Sequence, residues 1–345
     1  MRSLGCCLGF ILGACLLLAP LCSAQAPHPA AIPNIFAPES TPADQIFRLS
    51  LFVLSICAVI FVVVFFLIAY PVFKFRRRPD DDGNEPPQVY GSNPLELAWT
   101  VIPVLIVLVL FLATARVIHA IQQAAKPAGA VEVTVIGHQF WWEFRYPRLG
   151  VVTANELHIP VSDPKQPTPT FMTLFSADTD HSFWVPELNG KTDLIPNRTN
   201  SMWVDPHRPG VYLGQCAQYC GVQHAKMLLR VYVDSHRDFD RWVEEQRKPA
   251  PAKEATSTGR RIFETTACIN CHAITGTVAN GLFGPDLTHL MSRETIASGA
   301  ALNTHDNLRL WIRDPEAIKP GSLMPAMNLD DKDLDALVAY LETLR

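Results

Sequence analysis

Two short stretches gather residue types that hold redox metals. The first, Cys216-Ala217-Gln218-Tyr219-Cys220-Gly221-Val222-Gln223-His224-Ala225-Lys226-Met227, sets two thiols, an imidazole and a thioether within twelve residues, and a second imidazole, His181, stands in the loop Asp178–Phe183. Thiolate and thioether are soft ligands suited to copper(I), imidazole serves both copper states, and a weak axial methionine marks electron-transfer copper. One thiolate is enough for a mononuclear blue site. Two on a single loop can bridge a pair of coppers, each metal then taking one histidine. The same residues also admit a Cys216–Cys220 disulfide in an oxidising compartment, or a structural Cys₂His₂ zinc site; the methionine and the distant histidine tip the balance to copper.

The second stretch, Cys268-Ile269-Asn270-Cys271-His272, has the spacing that attaches a c-type haem through two thioethers, the histidine becoming an axial ligand. Downstream, Pro320-Gly321-Ser322-Leu323-Met324-Pro325 offers Met324 as the opposite ligand, with Met327 as rival and Met291 as a poorer one. Histidine–methionine ligation raises the potential of haem iron and leaves no open position for dioxygen, which suits electron transfer. His138, His158 and His207 have no such company and read as ordinary hydrogen-bonded histidines.

These residues need elements to hold them. A chain of 345 residues is long enough for two or three domains. With 29 Lys+Arg against 33 Asp+Glu it carries no basic footprint, which argues against a nucleic-acid partner. Arg2, an apolar run over Leu4–Leu21 and the small-residue end Cys22-Ser23-Ala24 read as a signal peptide over 1–24, with a lipoprotein alternative at Cys15. Two longer apolar runs, Leu49–Phe73 and Leu95–Ile118, predict a transmembrane hairpin within 25–125, with helices over about 45–73 and 94–120. The cluster Lys74-Phe75-Arg76-Arg77-Arg78 between them belongs in the cytoplasm, which sends everything after about Gln122 outward. Asn93, Pro94 and Glu96 read as N-cap, N1 and N3 of a capping box; the other reading of Glu96 is a proton carrier at a membrane helix end.

Short β-rich runs separated by turn formers then fill 130–235: Val131–Ile136, Thr170–Phe175, Thr199–Val204, Gly210–Leu213 and Leu228–Val233. They predict an all-β sandwich or barrel carrying the copper loop. A proline-rich linker over 245–257 leads to a domain at 258–345, where a short helix over Gly259–Thr265 precedes the haem motif and an apolar-faced helix spans Asp330–Leu344.

The whole chain from about Ile35 resembles subunit II of the haem–copper cytochrome c oxidases, in the bacterial form with a fused C-terminal cytochrome c domain. The resemblance is carried by Gly137-His138-Gln139-Phe140-Trp141-Trp142, by Lys191-Thr192-Asp193-Leu194-Ile195-Pro196-Asn197-Arg198 and by the copper loop. It implies a multi-domain membrane protein: a two-helix transmembrane hairpin, an all-β cupredoxin-like domain and an all-α cytochrome c domain. It implies His181, Cys216, Cys220, His224, Met227 and the backbone carbonyl of Gln218 as ligands of a dinuclear copper centre, with Cys268 and Cys271 binding one haem c covalently and His272 and Met324 axial. Gln218 stands where much of the family has glutamate, which puts a magnesium site shared with subunit I in doubt. Phe140 stands where many members have an electron-accepting tryptophan, so Trp141 or Trp142 would serve instead. Glu96 falls where the family has its glutamate at the mouth of a proton pathway.

By the same resemblance, the chain is an electron relay with no acid–base catalytic residue of its own. It would pass electrons from cytochrome c or another membrane donor to subunit I, beside subunit III, on the outer side of a bacterial inner membrane. A quinol oxidase subunit would share the hairpin and β domain but lack both cysteine motifs. A thioredoxin-type copper-delivery protein would alternate strands and helices around its cysteines. The corresponding subunit of a nitric oxide reductase would look the same from these residues.

Overall fold

Two helices come first among the described residues, and almost nothing covers them. Helix α1 (Thr41–Lys74) has 34 residues and α2 (Asn93–Gln122) has 30; at 1.5 Å per residue each exceeds the roughly 30 Å of a hydrocarbon core. Only Pro42 and Ala43 of α1, and no residue of α2, are buried. An apolar surface on all sides with no protein over it is made for lipid. The computed structural model describes residues 33–345 except 77–78, 80–86, 89, 124, 127–128, 164–166 and 252–255. The signal peptide and part of the cationic cluster lie outside the described residues.

One local expectation shifts. The N-cap of α2 is Ser92, not Asn93, and Pro94 sits one position further in. Glu96 still reaches back, its Oε1 accepting from the Ser92 backbone N–H at 3.3 Å, but the Ser92 side chain caps nothing, so only the glutamate half of the expected box is made.

Ten strands follow: β1 (Val131–His138), β2 (Trp141–Tyr146), β3 (Val151–Ala154), β4 (Glu156–Pro160), β5 (Thr170–Ser176), β6 (His181–Trp184), β7 (Thr192–Leu194), β8 (Asn200–Val204), β9 (Gly210–Cys216) and β10 (Leu228–Asp234). They form two five-stranded sheets ordered β3-β2-β1-β5-β8 and β4-β10-β9-β6-β7, with β1 parallel to β5 and β10 parallel to β4. The alternating burial of β1, β5 and β10 is what the sequence pattern predicts for strands with one face on a core. Among the described residues no α-helix interrupts β1 to β10, so the alternation of a thioredoxin-type protein is absent. The sheets close over Trp142, Phe144, Leu157, Leu174 and Phe183, each at most 1% exposed. Truncating one such aromatic to alanine costs about 3–5 kcal/mol.

Helix α3 (His236–Gln246) leaves the sandwich, its cap Ser235 accepting from the Asp238 N–H, and buries Phe239 and Val243 against the β core. It closes most of the gap before the linker. Ala250 is pinned, its N–H donating to the Thr275 carbonyl at 3.0 Å. The C-terminal domain runs α4 (Ser257–Thr265), α5 (Cys268–Cys271), a two-residue hairpin of β11 (Thr295–Ile296) and β12 (Ala301–Leu302), α6 (His305–Arg313), α7 (Pro315–Ile318) and α8 (Asp331–Leu341). Ile262 and Phe263 of α4 pack with Leu334, Leu337 and Val338 of α8. The domain is helical apart from that hairpin.

Candidate copper and haem sites

The β fold brings the first cluster together. Cys216 ends β9, His181 opens β6, and Phe183 of β6 pairs with Cys216 in the sheet. The loop returning to β10 carries Cys220, His224 and Met227, and closes where the Cys216 N–H donates to the Met227 carbonyl at 2.9 Å. The donor atoms converge: Cys216 Sγ lies 3.9 Å from His181 Nδ1, 3.2 Å from the Gln218 carbonyl and 3.9 Å from Cys220 Sγ. Cys220 Sγ lies 3.7 Å from His224 Nδ1 and 3.9 Å from Met227 Sδ. Both thiols are free, and their separation is far from the roughly 2.05 Å of a disulfide. Zinc would use four donors and leave the thioether and carbonyl idle. The set of two sulfurs, two imidazoles, a thioether and a carbonyl fits copper.

The surroundings prepare these groups. Asp178 Oδ1 takes His181 Nε2–H at 2.7 Å, which turns Nδ1 towards the sulfurs. Burial opposes charge on His181, yet Asp178 and Cys216 outweigh it and hold its pKa above the ordinary value. The bond from Cys220 pulls the Cys216 thiol down while Cys220 itself is pushed up by Cys216, so one proton serves two sulfurs. His181 also needs Gly137: a Cβ there would stand 2.8 Å from its ring.

The haem motif lies at a cavity of about 260 Å³ walled by Cys268, Cys271, His272, Met324 and Met327. His272 Nδ1–H donates to the Pro285 carbonyl at 2.8 Å, which leaves Nε2 for a metal. Burial holds its pKa below the ordinary value and keeps the ring neutral, the ligating form. Gly284 lets the chain pass across this ring, since a Cβ would meet it at 2.6 Å. Two cysteines, a neutral histidine and a thioether around an apolar cavity fit a haem. Met291 does not line that cavity; it packs on the domain's core. Met324 and Met327 both do.

Trp141 forms part of the wall of the same cavity. Its ring stacks on His138 at 4.2 Å and 8°, and His138 is held by Glu143 at 3.0 Å. Trp142 turns the other way, fully buried, with its ring 6.1 Å from the His181 ring. His158 bonds Asp234 and His207 lies beside Asp205 and Thr41, so neither belongs to a metal cluster. Glu96 belongs to neither site and stands exposed at the start of α2. Sequence reasoning passed over Asp178, Gln139 and Lys319. Asp178 was visible three residues before His181; Lys319 and Gln139 carry no local signal.

Two lipid-suited helices, a β sandwich with a thiolate–imidazole–thioether cluster and a helical domain around a haem motif define a membrane-anchored electron-transfer protein. Residues 30–117 match the family of cytochrome c oxidase subunit II transmembrane domains, 155–233 that of its periplasmic domains, and 256–345 the cytochrome c family. Cytochrome c oxidase subunit 2 of Alkalihalophilus pseudofirmus is 38% identical over 308 residues, spanning 86% of this chain and 85% of that protein. The subunit of the same name from Bacillus sp. strain PS3 is 33% identical, over 79% and 80%. Quinol oxidase subunit 2 of Bacillus cereus is 29% identical over 220 residues, spanning 63% of this chain and 74% of that protein. The chain belongs to the cytochrome c oxidase subunit II family. It is thus an electron-transfer subunit of a haem–copper oxidase, part of an oxidoreductase complex with subunit I, and a membrane protein with extracellular domains. The family implies copper, and the C-terminal domain implies haem.

Proposed function

We propose that the chain takes single electrons at its C-terminal domain and passes them through its β domain to subunit I, where dioxygen is reduced to water with proton translocation. The donor is cytochrome c or another membrane-bound carrier, and subunit III completes the assembly in the inner membrane. When bound, one covalent haem c and a dinuclear copper centre supply reversible one-electron chemistry.

The residues do the rest. Cys268 and Cys271 would hold the haem with His272 and Met324 as donors to its iron, and Pro285 fixes the His272 ring. Cys216, Cys220, His181, His224, Met227 and the Gln218 carbonyl would together hold the copper. Trp142 and Phe183 exclude water behind His181. Glu96, exposed at a helix start, delivers protons towards subunit I. The neutral Gln218 side chain gives a magnesium ion at the subunit boundary no carboxylate.

One observation carries this reading: adjacent residues of one strand reach both sites, Trp141 walling the haem cavity while Trp142 packs on His181. The test uses the full-length holoprotein in detergent. Metal and haem analysis is expected to give two coppers and one covalent haem per chain. After flash reduction of the haem, its oxidation should match reduction of the copper band, and Trp141→Leu should slow that step at unchanged metal content. Zinc in place of copper, or no transfer between the two centres, overturns the proposal.

A further inference from the structure

Resting on that reading, we propose that Lys319 is the positioning residue that locks the haem domain onto the copper domain in register for electron transfer, by gripping the Gln139–Phe140 turn between the two sites. The step it serves moves one electron from the reduced haem to the oxidised copper pair, with no bond made and no proton moved.

Lys319 follows α7 in the haem domain and is 4% exposed. Its Nζ donates to the Phe140 carbonyl of the copper domain at 2.7 Å and to the Ala297 carbonyl of its own domain at 3.2 Å. A buried ammonium is stable only where partners replace its water, so these carbonyls fix where the turn stands. On its other side the same turn is tied to the copper loop, Gln139 Nε2–H donating to the Cys220 carbonyl at 2.6 Å. The residue before Lys319 joins in: the Ile318 carbonyl accepts from Lys226 Nζ, one residue before Met227, at 3.0 Å.

A second grip lies beside the first. Ala297 and Ser298 adopt φ of 54° and 58°, followed by Gly299 at 80°. Non-glycine residues stay in that region only where their surroundings impose it. Here the imposing contacts cross the domain boundary. The Leu228 N–H donates to the Ser298 carbonyl at 3.1 Å and Ser298 Oγ–H donates to the Leu228 carbonyl at 2.9 Å, on the residue next to Met227. Glu156 of β4, 2% exposed, accepts from Glu294 N–H, Thr295 N–H and Thr295 Oγ1–H at 3.0, 2.8 and 2.6 Å. A buried polar side chain from each domain therefore crosses the boundary in opposite directions. Transient redox encounters rely on exposed rim charges that steer and release. Buried side chains hydrogen-bonded across the boundary hold.

The experiment compares wild type with Lys319→Met and Thr295→Val as full-length chains in detergent. It reads amide exchange at Leu228 and Ser298, exchange in α8, metal and haem content, and the haem-to-copper rate after a flash. Lys319→Met should lose about ten- to hundredfold of the protection at Leu228 and Ser298 and slow transfer, with α8, haem and copper unchanged; Thr295→Val should do the same more weakly. Unchanged protection and rate overturn the proposal. So does equal loss of protection in α8, which would make Lys319 a support of its own domain. Exchange is read whether or not metals are bound, so a failure of the relay reading, seen as missing copper or haem, is distinguishable from a failure of the joint.

Discussion

The two candidate metal sites are built in opposite ways. The copper donors sit at one end of a sandwich whose core takes in Cys216, Cys220 and Met227 and runs well beyond them through Phe144, Leu157, Ile159 and Leu174. The haem residues surround a cavity, and Phe263, Leu290, Leu308 and Leu337, which form the domain's core, are also its walls. One site occupies the end of a core that extends far past it; the other is the interior of its domain. A donor outside the core, such as the partly exposed His224, can therefore be lost at little cost in stability, while loss of haem attachment removes the core's filling, because small domains with unfilled interiors are marginal.

The largest effect tests that difference directly. Cys268→Ala with Cys271→Ala is expected to abolish covalent haem and with it cooperative folding of 257–345, while the β domain keeps its copper band. Haem staining and near-ultraviolet circular dichroism read the outcome. A C-terminal domain that stays folded without haem would break the comparison.

A smaller effect sharpens the other side. Asp178→Asn replaces the carboxylate that orients His181, and outer partners of this kind are worth about ten- to hundredfold in metal affinity. Copper affinity should fall by that order while the thermal midpoint of the β domain holds, since Asp178 is a surface-loop residue whose side chain is 32% exposed. A large drop in midpoint would mean that Asp178 is part of the scaffold after all.

The same contrast explains what was legible in the sequence. The copper loop is compact in sequence because four donors lie on a single return between β9 and β10, and the haem motif is five consecutive residues. Strands such as β1, β5 and β10 showed themselves as β-rich runs between turn formers. Strand β2 did not, because Trp141, Trp142, Glu143 and Phe144 are all buried, one face on the sandwich core and the other under the haem domain. Helix α3 was passed over because its charged sequence carries few apolar residues. The joint between domains left no trace: a lone lysine after a short helix and a glutamate in a strand acquire meaning only when folding buries them against each other's backbone.

That joint gives the smallest and most specific effect. Burial pulls the Lys319 ammonium down to about 7 from its ordinary 10.5; the Cys220 sulfur opposes this and the neighbouring charge of Lys226 adds to it. Between those values the docked domain has released a proton that a separated one still holds, so the joint strengthens as pH rises through the window and is weakest below it. Protection at Leu228 and Ser298, corrected for intrinsic exchange, should therefore grow as pH is raised from about 7 towards 9 in wild type and stay flat in Lys319→Met. A flat wild-type profile would assign the pH-insensitive hold to Glu156 alone. A rising one places the adjustable contact at Lys319, so that the placement of the haem domain, unlike the copper ligation beside it, answers to the proton concentration outside the membrane.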